Sequence, residues 1–319
     1  MKKLCLLLLV VSLFGLVACD SGSGDTTTTP TGNTTTPPGA TTTTQKVDEN
    51  SIYFDSEYIE GRFTRFDQET SVEGARAAIT FSEGAPSVVG KGVVVSGKKA
   101  TINQPGKYLI SGSSSDGQLV VSVLKTEQVH LIFDGLTLTC SDSAPVWIQS
   151  VDKAVITLKA GTVNTLTDAA VYTVADPMPK ACLYSQDDLT LNGTGSLIIN
   201  ANYNNGIGTK NDLKILSGTY TVTAANNAIK GNDSIAIQSG TFTITAGNDG
   251  FKTENDIDAQ KGYLYIAGGS FQITAEDDGL QADQVIDLRG GYFAMQVGDD
   301  TVNCPGVRSM DVDVVIALE

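Results

Sequence analysis

Between Gly206 and Asp300 apolar and polar positions alternate in short runs, and the runs recur at a fixed spacing. Residues 206–227 read GIGTKNDLKILSGTYTVTAANN, and residues 228–249 read AIKGNDSIAIQSGTFTITAGND. Set one over the other, Ile207 aligns with Ile229, then with Phe251, Leu280 and Val302. Leu213 and Ile215 align with Ile235 and Ile237, with Leu264 and Ile266, and with Ile286 and Leu288. Tyr220 and Val222 align with Phe242 and Ile244, with Phe271 and Ile273, and with Phe293 and Met295. Within each pair the apolar residues are two apart, the period of a strand with one buried face. A glycine separates the last two runs of each unit, at Gly218, Gly240, Gly269 and Gly291, where a sharp corner calls for positive φ.

Every unit closes on a pair of Asn or Asp: Asn204-Asn205, Asn226-Asn227, Asn248-Asp249, Asp277-Asp278 and Asp299-Asp300. Successive pairs are 22, 22, 29 and 22 residues apart, so one unit carries a seven-residue insertion. A single unit cannot bury its own apolar row, whereas stacked units form a continuous core. The pattern predicts an all-β protein, a single-stranded parallel β-helix with about 22 residues per coil and like residues stacked about 4.8 Å apart. A leucine-rich repeat has a similar period, but its consensus is missing; the calcium-binding nonapeptide repeat is too short.

The termini and composition narrow the setting. Lys2 and Lys3 precede an apolar run from Leu4 to Leu16, which predicts a secretory signal over 1–18 rather than a membrane span. That run ends in Leu16-Val17-Ala18-Cys19, which resembles the lipobox of bacterial lipoproteins. The resemblance implies cleavage before Cys19, lipid attachment at Cys19, and a secreted lipoprotein held at the cell envelope or surface. Residues 19–50 are rich in Thr, Pro and Gly and predict a flexible tether of roughly 30 Å. Residues 51–89 are expected to cap the coil, and residues 90–319 to form it. The net charge of −15 argues against a nucleic-acid partner, which calls for a basic stripe; no protein partner is predicted. Cys140, Cys182 and Cys304 stand at no metal-like spacing and read as small buried residues.

The first half shows the same architecture less regularly: GVVVSGKKATINQPGKYLISGSSSDGQLVVSV over 92–123, VHLIFDGLTLT over 129–139, GTVNTLTDAAVY over 161–172 and ACLYSQDDLTLNGTGSLII over 181–199. With the coils that follow, these strings resemble a bacterial carbohydrate-binding β-helix family related in fold to pectate lyases. The most specific are PGKYLISG with the following DGQLVV, GTVNTLTD, and the NDGFK turn. The resemblance runs from about Gly90 to about Gly306. It implies a right-handed parallel β-helix, bound calcium, and affinity for cell-wall polysaccharides, cellulose or acidic pectin-like chains.

Stacking puts the Asx pairs in two columns, amides in the early coils and carboxylates in the late ones. Carboxylates about 5 Å apart repel by about 1 kcal/mol at water's dielectric and by several at a protein-like one. Asp249, Asp277, Asp278, Asp299 and Asp300 are therefore candidate ligands for Ca2+, which takes oxygen donors in loose geometry. Zinc and iron want His or thiolate, and the one histidine, His130, is far off in sequence. Asp256, Asp258 and Glu276 are secondary candidates. Solvated Asx turns explain each pair alone, and explain three successive acidic turns less well.

A sugar site is expected beside this edge. Lys230 and Lys252 share one coil position, with Gln281 next in the column. Tyr265 and Tyr292 should point outward from their strands, where exposed rings suit sugar faces. Trp147, the lone tryptophan, fits burial or stacking. Three functions follow. The first is a cell-surface-anchored, calcium-containing binder of polysaccharide. The second is a calcium-dependent polysaccharide lyase with Lys252 as base, although nearby carboxylates favour the charged lysine. The third is a structural or adhesive surface built on the array Thr219, Thr221, Thr223, Thr241, Thr243 and Thr245. The binder needs only the ladder surface, the cation and the tether, and is preferred.

Overall fold

The computed structural model describes residues 63–174, 178–311 and 314–318. The expected signal, Cys19, the tether and residues 51–62 of the expected cap lie outside the described residues. Among the described residues every regular element is a strand.

The chain coils so that strands stack in three faces. The first runs through Lys153–Leu158, Asp188–Gly193, Asp212–Ile215, Ser234–Ile237, Tyr263–Ile266, Val285–Leu288 and Val307–Met310, all parallel. The second runs from Val163–Thr167 through Ser196–Ala201, Thr219–Ala224, Thr241–Ala246, Ser270–Ala275 and Gly291–Val297 to Val314–Leu318. The third runs from Gln118–Ser122 through Val146–Ser150, Ala181–Ser185, Asn205–Thr209, Ile229–Gly231, Phe251–Thr253 and Leu280–Gln281 to Val302–Asn303. Gln128–Thr139 bends across a corner. Its first half pairs with the first face and its second half with the second.

The register is the one the repeat predicts: Ile207 pairs with Ile229, Leu213 with Ile235, and Tyr220 with Phe242. Outward and inward residues alternate strictly in three strands of the second face, where Thr219–Ala224, Thr241–Ala246 and Ser270–Ala275 each expose their first, third and fifth residues. The inward rings of Tyr220, Phe242, Phe271 and Phe293 stack at centroid distances of 5.0, 4.8 and 4.5 Å. Pairs of this kind contribute about 0.5–1.5 kcal/mol beyond their buried area. The corner glycines make room for that stack. Gly240 has φ of +149°, and a Cβ there would lie 2.8 Å from the Phe242 ring. The seven-residue insertion falls between Phe251–Thr253 and Tyr263–Ile266. It is pinned by Asn255 and Lys261, which reach Asp233 at 2.9 and 2.7 Å.

The parallel coil starts earlier than the repeat suggests. Ala77–Phe81 already pairs in parallel with Gly106–Ser114, so the expected boundary at Gly90 falls inside it. The excursion that separates those two strands hides the period. It supplies two antiparallel strands, Ser87–Gly90 against Ala77–Phe81 and Val93–Ser96 against Lys99–Ile102. Antiparallel strands at the start of a parallel stack blunt an edge that would otherwise template further pairing.

Residues 63–72 join no ladder. They lie across the outer surface of the first face as a strap, with Phe63 packed among Leu216, Ala236, Tyr263 and Tyr265 and the Asp67 carboxylate between Lys153 and Lys214.

Candidate functional site

The turn between the second and third faces carries the Asx edge. Its inner column is Asn205, Asn227, Asp249, Asp278 and Asp300. The first four side chains each accept the main-chain N–H of the next coil. Asn205 Oδ1 accepts from Asn227 at 3.3 Å and Asn227 Oδ1 from Asp249 at 3.2 Å. Asp249 Oδ1 accepts from Asp278 at 3.2 Å and Asp278 Oδ1 from Asp300 at 3.0 Å. The column holds the coil in register at the corner, whether the side chain is amide or carboxylate. Asn205, Asn227, Asp249 and Asp278 are buried, and the bonds donated by Asn227, Asp249 and Asp278 satisfy N–H groups that water cannot reach.

Where amide gives way to carboxylate the second oxygen finds a cationic or amide donor. Lys252 Nζ lies 2.9 Å from Asp249 Oδ2, which Asn248 Nδ2 also donates to at 3.0 Å. Asn303 Nδ2 donates to Asp278 Oδ2 at 2.6 Å. Carboxylate oxygens of Asp249, Asp277 and Asp278 come within 4.8 Å of one another. Asp277 is half-buried, and its carboxyl is pushed up, first by burial and then by the charges of Asp278, Asp249 and Asp299. Of the five expected metal ligands the structure brings these three together. Asp299 and Asp300 are exposed and join the edge through their main-chain N–H groups, bonded to Asp277 O and Asp278 Oδ1. Three carboxylates from two coils are a donor set for a hard cation. Asp249 Oδ1 and both Asp278 oxygens each accept one of these bonds and keep a second lone pair for a cation, whereas Asp249 Oδ2 already accepts two.

Beside this edge, on the third face, Gly208, Lys230, Lys252, Gln281 and Asn303 are register partners in one column. Lys230 is bonded to Glu254, whose carboxyl is held low by that bond against the effect of burial. The row of two lysines therefore runs between the acidic edge and Glu254. Trp147 and Tyr184 continue the column on the other side of Gly208. Both are buried, which settles Trp147 as a packed ring.

The four residues expected to hold sugar lie on three faces. Lys230 and Lys252 adjoin on the third. Tyr292 is on the second and is 49 % exposed. Tyr265 is on the first and only 2 % exposed. The expectation that Tyr265 offers an open ring is corrected: it points out of the coil, but Phe63 of the strap packs against it.

The first face holds a cluster that the repeat did not indicate. Asp188 and Asp212 are neighbours in adjacent coils, with the Asp212 N–H 3.4 Å from Asp188 Oδ1. The Asp188 carboxyl is pushed up to about 6 by burial and by Asp212. Burial pushes Asp67 up as well, but Lys214 and Lys153 together with hydrogen bonds from Thr190 and Thr64 outweigh it and hold that carboxyl low. Charged residues at outward strand positions were visible in the sequence at Lys153, Asp188, Asp212 and Lys214; the strap that covers them was not.

These features define a stacked parallel coil with polar columns on its outer faces. A family model described as carbohydrate-binding domain-containing protein matches residues 96–312, and the chain belongs to that family. A carbohydrate-binding domain-containing protein of Acetivibrio thermocellus is 47 % identical over 136 residues, 42 % of this chain and 48 % of that protein. The chain thus spans about half the length of that relative. The solved structure of a polysaccharide lyase-like protein from C. thermocellum, a gadolinium derivative, superposes with a TM-score of 0.74 at 40 % identity. The match covers 76 % of this chain and all of that one.

Proposed function

We propose that this carbohydrate-binding domain protein is a cell-surface lipoprotein, anchored through Cys19, that holds calcium and binds cell-wall polysaccharide, cellulose or acidic pectin-like chains. The observation that carries the reading is the Lys230–Lys252 row lying against the Asp249, Asp277 and Asp278 carboxylates. A cation on the three carboxylates could share its open positions with a uronate, while the lysines meet a second carboxylate. The solved neighbour was obtained as a gadolinium derivative, and gadolinium, like calcium, is a hard ion that favours oxygen donors. The coil is taken as right-handed, the hand of nearly all parallel crossover connections.

A binder is preferred to a lyase on one specific ground. The Lys252 nitrogen is engaged by the Asp249 carboxylate at 2.9 Å, and it would have to leave that pair before it could meet a substrate proton.

The test is retention of the protein on insoluble cellulose and on polygalacturonate, with calcium and with chelator. The Lys230→Met/Lys252→Met double variant should lose most of the retention on polygalacturonate. No retention on either polymer, with or without calcium, defeats the proposal.

A further inference from the structure

The first face carries an anion seat that the chain itself fills. Lys153, Thr190 and Lys214 come from three consecutive strands of that face, and their polar ends converge on Asp67. Thr190 Oγ1 donates to Asp67 Oδ1 at 2.6 Å. Lys153 Nζ lies 3.4 Å from the same oxygen, and Lys214 Nζ 3.3 Å from Oδ2. The Thr64 N–H donates to Oδ2 at 2.7 Å. Asp67 is wholly buried and Lys153 3 % exposed. Two ammonium groups and a hydroxyl around one carboxylate are the donors that any carboxylate would need there.

What fills the seat is not woven into the fold. Residues 63–72 have no strand partner, and side chains hold their main chain. Asn192 Nδ2 donates to Asp67 O at 2.8 Å and to Glu69 O at 2.9 Å. Thr157 Oγ1 donates to Glu69 O at 3.3 Å, and Lys107 Nζ to Ser71 O at 2.7 Å. A segment fixed by separate side-chain bonds opens at lower free energy than one held in a ladder. Asp188 and Asp212 border the seat and would oppose an incoming anion. With the strap in place, burial and Asp212 push the Asp188 carboxyl up to about 6, so the negative charge it presents beside the seat weakens as pH falls toward that value.

We propose that Lys153, Thr190 and Lys214 form a second carboxylate-binding site for acidic sugar, which the Asp67 strap occupies as a displaceable internal ligand. The proposal rests on the reading of the chain as a binder of acidic polysaccharide, and places a further site on a different face from Lys230 and Lys252.

The test is calorimetric titration of the full chain with oligogalacturonate at pH 5.5, with a cello-oligosaccharide as the uncharged comparison. Asp67→Asn should bind oligogalacturonate at least ten-fold more tightly than the wild type. Asp67→Asn/Lys214→Met should lose that gain, and the uncharged sugar should distinguish none of them. A folded Asp67→Asn that binds no more tightly overturns the proposal. Hydrogen exchange on the wild type keeps it falsifiable if that variant does not fold. Saturating oligogalacturonate should speed exchange of amides 64–72, and unchanged exchange overturns the proposal. Binding of acidic sugar by the wild type with neither effect sinks the strap site and leaves the proposed function standing. Absence of acidic-sugar binding in every variant sinks the strap site together with the acidic-polysaccharide reading it rests on, and leaves only the cellulose reading of the proposed function.

Discussion

The main-chain N–H of Asp278 donates to Asp249 Oδ1 across 3.2 Å, while Lys252 reaches the other oxygen of the same carboxylate at 2.9 Å. One side chain therefore ties two coils together and holds the charge of the lysine row. The two roles separate by substitution. Asp249→Asn keeps an acceptor for the Asp278 N–H and loses only the charge. Asp249→Ala loses both and leaves a buried donor unpaired. Breaking a buried ion pair by removing one partner costs about 3–5 kcal/mol, and an unsatisfied buried group about 1–3. Urea denaturation should place Asp249→Ala at least 2 kcal/mol below the wild type, with Asp249→Asn between them. Equal losses for the two variants would show that the ladder bond contributes nothing.

The ring column gives a packing prediction. Gly240→Ala would place a Cβ 2.8 Å from the Phe242 ring at a φ of +149°. A close contact combined with a backbone conformation unsuited to alanine should cost about 1–3 kcal/mol. Thr243→Ala, on the exposed side of the same coil, should stay within about 0.5 kcal/mol of the wild type. Thermal melts of both variants test it, and a Gly240→Ala melt that overlays the wild type refutes the steric account.

Much of the coil was legible because a parallel β-helix converts sequence period directly into register. Ile207 over Ile229, Tyr220 over Phe242 and the Asx edge all follow from counting, since each contact joins equivalent positions one coil apart. The same reasoning failed at Tyr265. Its strand neighbours Leu264 and Ile266 point inward, so it points outward as expected. Whether an outward residue meets water depends on a segment some two hundred residues earlier. Phe63 and Asp67 belong to no repeat, so no period announces where they land. The excursion after Phe81 obscured the start of the coil for the same reason. The three-carboxylate group emerged from the repeat, whereas the Asp67 seat needed the tertiary structure.

The two tyrosines should behave oppositely. Tyr265 is packed beneath Phe63, so Tyr265→Ala should lose about 3–5 kcal/mol of stability, the usual cost of removing a buried ring. Tyr292 is 49 % exposed on the second face. Tyr292→Ala should melt within a few degrees of the wild type and weaken retention on cellulose, where exposed rings stack on sugar. Undiminished retention would remove Tyr292 from the binding surface. A Tyr265→Ala protein as stable as the wild type would show that the strap does not seal the first face.

The carboxyl of Asp188 sets a pH dependence whose sign can be worked out. Burial and the neighbouring Asp212 raise it from 3.8 to about 6 in the folded protein, while in the unfolded chain it titrates near its ordinary value. Between those values the folded state holds the extra proton, so this group's contribution to stability declines as pH rises from about 4 to about 6. Above that window the folded protein carries the full cost of a buried carboxylate, at most about 3 kcal/mol for a shift of about two units. The surrounding charges are Asp67 from the strap and Lys153, Asp212 and Lys214 from the first face. Asp67 acts in the opposite sense: its carboxyl is held low, so its contribution is lost as pH falls through the acid range. The two effects are distinguished by Asp188→Asn, which removes only the first. Relative to the wild type, that variant should gain stability progressively from pH 4 to pH 7 in urea titrations. A difference between the two proteins that stays constant over that range would mean Asp188 ionises in the folded state at its ordinary pKa.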